Sequence, residues 1–471
     1  YFVLRHRFAT LVLTIVLLVA SVGVYYVAPK GFFPVEDTGF VWVNTEAAQD
    51  ISYEAMLAKQ KRAAEIALAN PAVVTVFSSV GGGTINTGRM IFGLKPRGER
   101  PRVFDVIQEL RQELSTIESF RAYMQPIQNI QIGGRSSNSL YQYTLQGSNL
   151  DELYLWSQKL LDKLSEDAMF QDVTSDMRLN SLEVVVNVDQ QKAASLGVSF
   201  DDIRRALFSA YGSEQVATIY TSTDDYAVIL EVAKDFQHSV DYINQIYITG
   251  SGDDSVPLSA FVTLSRGNTA LSINHQTQLP SVTIAFNLAP GIALGQAVDR
   301  ITGIQNAASM PDRITGSFQG TALAFQESLD GQALLLIFTV LVIYIILGML
   351  YESFIHPITI LSGLPSAGLG AVLFLMLLGI EVSVIAIIGI VLLIGIVKKN
   401  SIMMVDFAIN ARQEGMSAED AIIQGCLLRF RPIMMTTMAA IFGALPIAIG
   451  VGAGSELRQP LGIAVVGGLL T

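Results

Sequence analysis

The chain has 471 residues, of which 51% are apolar and 15% are charged, and its formal net charge at pH 7 is −11. This composition is too apolar for an ordinary soluble enzyme and too mixed for a protein made only of membrane spans. The net charge is +3 over residues 1–30, −13 over residues 31–331 (21 basic against 34 acidic) and −1 over residues 332–471, which argues against a basic surface for nucleic acid.

Long apolar runs predict membrane-spanning helices, because about 20 apolar residues in a helix cross a hydrocarbon core about 30 Å thick. The first run is Phe8 to Ala28, and the cationic residues before it favour an orientation from inside to outside. By parity, residues 31–331 lie outside. Buried core helices of a large soluble protein are the alternative, which we reject because five runs of this length would be needed. The later runs are Ala333–Tyr351, Pro357–Gly379, Val382–Ile409 and Pro432–Val451, and a sixth begins near Leu461.

The exterior block alternates strand-like and helix-like segments. Its first part predicts a β-α-β-β-α-β unit over about residues 39–126. The order then recurs, with an insertion from about Tyr211 to Gln278 and a closing strand, helix and strand over residues 281–319. The sequence therefore predicts two tandem split units, the second interrupted by a β-rich insert. Before the insertion, the second unit is assigned Leu140–Gln146 (strand), Leu150–Leu164 (helix), Leu182–Val188 (strand) and Phe200–Ala210 (helix).

Catalytic signatures do not emerge from the sequence. The glycine spacing from Gly83 to Gly88 resembles a phosphate loop but lacks the Lys-Ser/Thr pair, so a flexible turn between two strands is favoured. The four histidines are scattered without metal-ligand spacing. The single Cys426 excludes an internal disulfide framework and a multi-Cys metal site. We therefore expect neither an enzyme nor a metal or cofactor site.

Polar residues interrupt the run from Val382 to Ile409. A continuous helix to about Arg412 explains the pattern, and it places Lys398 and Lys399 at membrane depth. Ionisable groups there usually face a polar pathway with partners. Snorkelling of the two lysines to the inner interface is the alternative.

Further polar residues extend this stripe. Asp406 lies seven positions after Lys399, about 20° round the helix, so both side chains point the same way. The next span supplies Arg429 near its inner mouth and Thr436 deeper in. Together these residues predict a proton or ion path.

The same residues resemble a known family. The segments Gly395–Ala408 and Leu428–Thr437 are similar to the tenth and eleventh spans of the resistance-nodulation-division (RND) drug exporters. Further similar segments are Phe33–Gly39, Leu350–Ser353 and Gly452–Ser455. The whole chain resembles the carboxy-terminal half of such a transporter, closest to the subtype that forms mixed trimers of two related subunits.

The resemblance implies the RND fold, an α-helical membrane protein with a large α+β periplasmic domain. In that fold two tandem β-α-β-β-α-β porter subdomains carry a β-rich docking insert. The implied order is span 7 (1–30), porter subdomain PC1 (31–137), the first part of PC2 (138–210), the docking insert (211–278), the second part of PC2 (279–331), and spans 8 to 11 with the start of span 12 (332–471).

Roles for individual residues also follow from the resemblance. The family's proton-coupling lysine falls on Lys399, its relay arginine on Arg429 and its relay threonine on Thr436. Their partner aspartates belong to the amino-terminal half, so this chain alone is not expected to complete a proton relay. The implied driving force is the proton gradient, without a cofactor.

A substrate pocket is implied in the exterior block, where Phe77 falls on an aromatic position of the family's deep drug pocket. The loop after it departs from the pattern, because Val80-Gly81-Gly82-Gly83 stands where relatives carry phenylalanines. Neighbouring segments offer substitute contacts, although a plain core role is the alternative for an apolar strand residue. The candidate residues are Phe77, Arg89, Met90, Phe92, Tyr123, Gln125 and Gln128.

The implied function is efflux of amphiphilic drugs or detergent-like compounds across the bacterial inner membrane, driven by the proton gradient. The implied partners are the amino-terminal half, a homo- or heterotrimer, a periplasmic adaptor protein and an outer-membrane channel. Two alternatives stay open: a protein- or lipid-export member of the same superfamily, and a membrane-anchored periplasmic binding or scaffold protein.

Overall fold

The computed structural model describes residues 2–81, 84–130, 132–135, 137–179, 181–237, 239–250, 254–270, 272–308, 310–452 and 454–471. The chain divides into two compact units. The larger consists of Tyr1–Met177 and Ile273–Thr471, and the smaller of Arg178–Ser272.

The larger unit starts with the short helix α1 (Phe2–Arg5) and the 21-residue helix α2 (Arg7–Val27). No described side chain of α2 is buried within the chain. A helix this apolar and this exposed requires an apolar environment outside the chain.

The first α+β layer, which we call the first layer, is an antiparallel sheet with helices on one face. Strand β1 alternates, so that Val41 and Val43 are buried beneath the helices while Trp42 and Asn44 lie on the opposite, open face. The strand order is β2-β3-β1-β4. Its elements are β1 (Phe40–Ala47), α3 (Tyr53–Ala69), β2 (Val73–Val80), β3 (Thr87–Leu94), a 3-10 turn (Arg97–Glu99), α4 (Val103–Leu114) and β4 (Phe120–Pro126).

The second layer begins with β5 (Tyr141–Gln146), α5 (Leu150–Glu166) and β6 (Phe170–Ser175). The smaller compact unit then intervenes, built on a β7–β12 pair and a β8–β9 hairpin with its own apolar core. Its elements are β7 (Ser181–Val188), α6 (Gln190–Ser195), α7 (Phe200–Tyr211), β8 (Glu214–Tyr220), β9 (Asp225–Leu230), β10 (Tyr247–Thr249), β11 (Ser255–Pro257) and β12 (Val262–Thr269), with 3-10 turns at Lys234–Phe236, Val240–Gln245 and Leu258–Ala260. The second layer closes with β13 (His275–Gln276), β14 (Leu279–Leu288), α8 (Leu294–Ala308) and β15 (Thr315–Gln319).

The two layers share one topology. In the second, β6 pairs with β14, β14 with β5 and β5 with β15, which repeats the order of the first layer strand for strand. The sequence assigned Leu182–Val188 and Phe200–Ala210 to this repeat. In the structure the corresponding β7 and α7 belong to the smaller unit, and the unpredicted β6 takes the strand position. Alternating or amphipathic apolar residues predict a strand or a helix, but they do not predict which sheet it joins.

The carboxy-terminal part is helical. Among the described residues, α2 and the carboxy-terminal helices form five helices or helix pairs that are long and apolar enough to cross a membrane, as the apolar runs predicted. The fourth run is one uninterrupted helix of 30 residues, which confirms the continuous helix expected through Lys398 and Lys399. The helices are α9 (Thr321–Tyr351), α10 (Ile355–Leu361), α11 (Leu364–Leu377), α12 (Val384–Gln413), α13 (Ala418–Ile449) and α14 (Ser455–Leu470).

Helix α9 connects the second layer directly to the apolar helices. It begins twelve residues before the apolar run predicted at Ala333, because Ala322 and Phe325 at its start are fully buried in the second-layer core. One helix thus carries both core residues of the layer and an apolar span. A displacement of either end is transmitted along a rigid element.

Helix α14 lies at the centre of the apolar helices. Its residues from Gly462 to Gly468 are buried, because glycines let neighbouring backbones approach closely. A Cβ on Gly462 would lie 2.5 Å from the backbone nitrogen of Ala448 in α13. Backbone atoms of a packed helix cannot move aside as a flexible side chain does.

The linker between α2 and β1 is anchored by a buried ion pair. Arg100 donates to both carboxylate oxygens of Asp37, at 2.9 and 2.5 Å, and the two side chains are 1% and 6% exposed. The amides of Gly39 and Val103 also donate to Asp37. Burial by itself would raise the pKa of Asp37, but the guanidinium and the backbone donors outweigh it and hold this pKa below its usual range.

We expect Arg100→Leu to destabilise the protein by about 3–5 kcal/mol, because it leaves a buried carboxylate without its cation. The control Arg62→Leu removes an exposed pair with Glu65 and should change stability by less than about 1 kcal/mol.

The buried pair should also make stability depend on pH. Since the pKa of Asp37 is lowered on folding, the stabilisation that its carboxylate supplies is present above the unfolded-state pKa and is lost as pH falls through the folded-state pKa. Thermal unfolding of the purified membrane protein at graded pH measures both effects. Equal losses for the two variants would contradict a structural role for the buried pair.

We expect Gly462→Val to lower stability by about 1–3 kcal/mol, because the added side chain meets the backbone of α13. The control is Gly443→Val on α13, where a Cβ meets no atom within 4 Å. Thermal unfolding followed by size-exclusion chromatography measures the difference. If both variants unfold at the same temperature as the parent, α14 is not packed as described.

Candidate functional site

The first candidate site lies halfway along α12. Lys398 and Lys399 are the fifteenth and sixteenth of its 30 residues, so each is about 22 Å from either end of the helix. The helix is capped at its start, where the Ser383 hydroxyl accepts a hydrogen bond from the Ala386 amide at 3.2 Å. A continuous, capped helix, long and apolar enough to cross a membrane, therefore carries two lysines near its midpoint.

The two lysines have different surroundings. Lys398 is 5% exposed, and its ammonium group has no hydrogen-bond partner in the described part of the chain. Lys399, about 100° round the helix, lies on the exposed side. Asp406 is exposed as well, consistent with the shared stripe inferred from their spacing. The exposed stripe is accessible to groups outside this chain.

Helix α13 brings further polar groups against α12. The Asn400 amide donates to the Thr437 hydroxyl at 3.2 Å. The Arg429 guanidinium lies over the Phe407 ring, with its carbon 5.8 Å from the ring centre, a cation–π contact. Thr436 is exposed and donates its hydroxyl to the carbonyl of Ile433 at 3.0 Å, within its own helix.

Two of these contacts were not predicted. Asn400 and Phe407 tie α12 to α13 beside the predicted residues, and the polar segment Lys398–Ser401, which interrupts the apolar run, was the available signal. No ion pair of Lys399, Asp406 or Arg429 is found among the described residues. In the part of the chain that the structure describes, these cationic side chains on the apolar helices have no carboxylate bound to them.

The second candidate site is the open face of the first layer. Phe77 is 62% exposed, and it lies opposite Ile91 in the pairing of β2 with β3. Arg89, Tyr123 and Gln125 share this face with Trp42 and Asn44, as their registers require. Burial, with Glu46 nearby, raises the pKa of Tyr123, so its hydroxyl stays protonated at neutral pH.

Other candidates lie elsewhere. Met90 and Phe92 point to the opposite face and are fully buried in the first-layer core beneath α3 and α4, so they cannot contact a ligand on the open face. Gln128 hydrogen-bonds the backbone amide and carbonyl of Glu36, at 2.8 and 3.2 Å, and so fastens the linker. Gly82 and Gly83 of the glycine-rich turn are outside the described residues.

Known proteins match the chain over its full length. A sequence profile of the AcrB/AcrD/AcrF family matches residues 1–471. Two solved structures, both described as a heavy metal efflux pump in different crystal forms, share the fold. One has a TM-score of 0.88 at 20% identity, covering 98% of this chain and 49% of its own; the other has a TM-score of 0.86 at 21% identity, with 98% and 48% covered. The chain spans about half the length of these structures.

The family profile and the shared fold agree with the arrangement of apolar helices and tandem α+β layers. The resemblance drawn from the Gly395–Ala408 segment is therefore confirmed at the level of the family. The chain belongs to the AcrB/AcrD/AcrF family of RND transporters.

Proposed function

We propose that the chain is the carboxy-terminal half of a proton/substrate antiporter that exports amphiphilic compounds. The observation that carries this proposal is the pair of cationic residues on the neighbouring apolar helices α12 and α13, the exposed Lys399 and the partly buried Arg429, which lies over the Phe407 ring. Ionisable groups at this depth are expensive, and they are retained where they serve a transport path.

The chemistry follows from charge pairing. An ammonium group beside carboxylates stabilises their ionised form, and protonation of a carboxylate releases the ammonium from that pairing. We place the carboxylates in the amino-terminal half, facing the exposed side of Lys399. Each proton taken up then changes the charge between packed helices, which biases their packing.

Two connections support transmission of this change to the exterior layers. Helix α9 continues from the second-layer core into an apolar span. In the first layer, Arg97 pairs with Glu456 at 2.7 Å and donates to the Ser455 hydroxyl at 3.0 Å, at the start of α14. Each layer is thus tied to a different apolar helix, so relative movement of the helices shifts the layers.

The open face of the first layer is the proposed substrate surface. It combines the exposed ring of Phe77 with the exposed Arg89 and the partly buried Gln125, while Tyr123 on the same face is only 6% exposed. Such a mixture suits molecules with an apolar body and a polar head. Metal export is the second candidate, favoured by the description of the two structural neighbours as heavy metal efflux pumps.

The wider assembly follows the family. We place residues 31–331 in the periplasm, with the layers as porter subdomains and the smaller unit as the part that meets an outer-membrane channel. The proposed partners are the amino-terminal half, a homo- or heterotrimer, a periplasmic adaptor protein and that channel. The proton gradient across the inner membrane supplies the energy.

We expect Lys399→Ala in the complete transporter to reduce gradient-driven export of a fluorescent amphiphile to background, with assembly intact. Lys398→Ala should retain most of the transport, because that side chain faces the interior of this chain. Proteoliposomes with an imposed pH gradient measure the rate. Equal loss in both variants, or normal export by Lys399→Ala, would contradict a directional relay. Arg429→Ala and Thr436→Ala should lower turnover more than substrate affinity.

We expect Phe77→Ala to raise the apparent KM for large amphiphiles several-fold, because an exposed apolar ring is removed from the open face. Phe200→Ala, which removes a ring that is 70% exposed in the smaller unit, is the matched control. A substrate panel that includes transition-metal salts separates the two candidate functions. Resistance to metals alone, unaffected by Phe77→Ala, would replace amphiphile export with metal export.

A further inference from the structure

A cavity of about 510 Å³ lies where the two layers, the linker and the starts of α12 and α14 meet. We call it the junction cavity. Its volume is that of a site for a drug-sized molecule. Side chains that line it include Phe33, Phe104, Gln125, Tyr141, Ile292 and Glu381.

Glu381 is the acidic group at the α12 edge of this cavity. It lies in the turn between α11 and α12, whose backbone is held by the linker: the Val382 amide donates to Pro29 at 2.9 Å, and the Gly31 amide donates to Val382 at 3.3 Å. The carboxylate occupies the space beside Gly31, where any side chain would collide with it. Because Gly31 has no side chain, the Glu381 carboxylate fits beside it. The backbone hydrogen bonds of Val382 fix the position of the adjoining Glu381 main chain.

The carboxylate of Glu381 has no hydrogen bond or ion pair with the described residues. The cations nearby are engaged elsewhere. Arg111 on α4, which also lines the cavity, pairs with Asp172 at 2.6 Å, and the Lys30 ammonium lies over the Tyr25 ring, 5.3 Å from its centre.

Two further carboxylates line the cavity and bring no positive charge to Glu381. Glu456 on α14 is paired with Arg97, and Asp105 on α4 adds a negative charge. Burial raises the pKa of Glu381 to about 7. Burial raises the pKa of the Tyr141 hydroxyl on β5, and the nearby Glu381 charge raises it further. The Tyr141 hydroxyl therefore stays protonated.

We propose that the junction cavity binds the cationic head of an amphiphilic molecule, with the Glu381 carboxylate as its counter-ion. The aromatic rings of Phe33, Phe104 and Tyr141 line the same cavity, and such rings favour organic cations over anions. The apolar lining takes the body of the molecule. The inference rests on the proposed function only in treating this ligand as a compound on its way to export.

Charge complementarity gives the binding a defined pH dependence. The cation binds the ionised carboxylate, and the ionised fraction rises as pH passes through about 7. Affinity should therefore be about tenfold weaker at pH 6 than at pH 8, since a pKa near 7 leaves about one tenth of the groups ionised at pH 6.

Equilibrium dialysis of the complete transporter, without a proton gradient, tests the site directly. The probe is tetraphenylphosphonium, and its anionic isostere tetraphenylborate is the charge control. Glu381→Gln keeps the shape and removes the charge, so it should weaken cation binding about tenfold and abolish the pH dependence. Glu414→Gln, at the opposite end of α12, is the matched control and should change neither.

Unchanged cation binding in Glu381→Gln, or an equal loss for the anion, would overturn the site. If Glu381→Gln unfolds at a lower temperature, Glu381→Asp carries the test: it should keep the pH dependence with weaker binding, and a pH-independent result overturns the proposal. Failure of the proposed function is distinguishable, because binding sensitive to Glu381 without gradient-driven export leaves the site standing. Gradient-driven export together with cation binding that does not depend on Glu381 would overturn the proposed site and leave the proposed function standing.

Discussion

The segment from Ala28 to Asp37 is the constraint on which the larger unit depends. Its backbone bonds to Val382 at the start of α12, and the Lys30 carbonyl accepts the Gly295 amide of α8 at 3.0 Å. Phe32 packs against Phe325 of α9 in the second-layer core, while Asp37 closes on Arg100 in the first layer. Ten residues thus hold both layers and the apolar helices in one arrangement. Because these contacts are mostly backbone hydrogen bonds and buried groups, the arrangement does not depend on exposed ion pairs, which contribute little.

The apolar helices carry charged side chains within their length. Lys398 and Lys399 sit halfway along α12, a helix long and apolar enough to cross a membrane. The Lys398 side chain is enclosed by this chain, whereas the Lys399 side chain is exposed and available to a partner. The close packing of α14, which glycines permit, holds the neighbouring apolar helices against one another.

One layer topology is used twice, but the two sheets differ in what covers them. The first layer leaves one face open, as Phe77 and Trp42 show, whereas consecutive residues of β5 and β14 in the second layer are buried on both faces. The junction cavity forms beneath, where α4 of the first layer and the end of β14 in the second meet the linker. The open face and the cavity differ in charge: the former carries Arg89, whereas the latter carries Glu381 without a paired cation in the described part of the chain.

The sequence by itself determined the apolar spans, the uninterrupted α12 through Lys399, and the alternation that builds the first layer, because these are set by local periodicity over 8 to 30 residues. It also determined the family, through the Gly395–Ala408 segment. Tertiary structure alone decided that β6 rather than β7 completes the second layer, since strand pairing joins residues far apart in sequence. Tertiary structure also decided that Met90 and Phe92 are buried in the core while Phe77 is exposed, because alternation does not predict which face of the sheet the helices cover. Glu381 became a candidate binding group only when the fold brought Gly31 and Tyr141 beside it, and no local pattern encodes a cavity between distant segments.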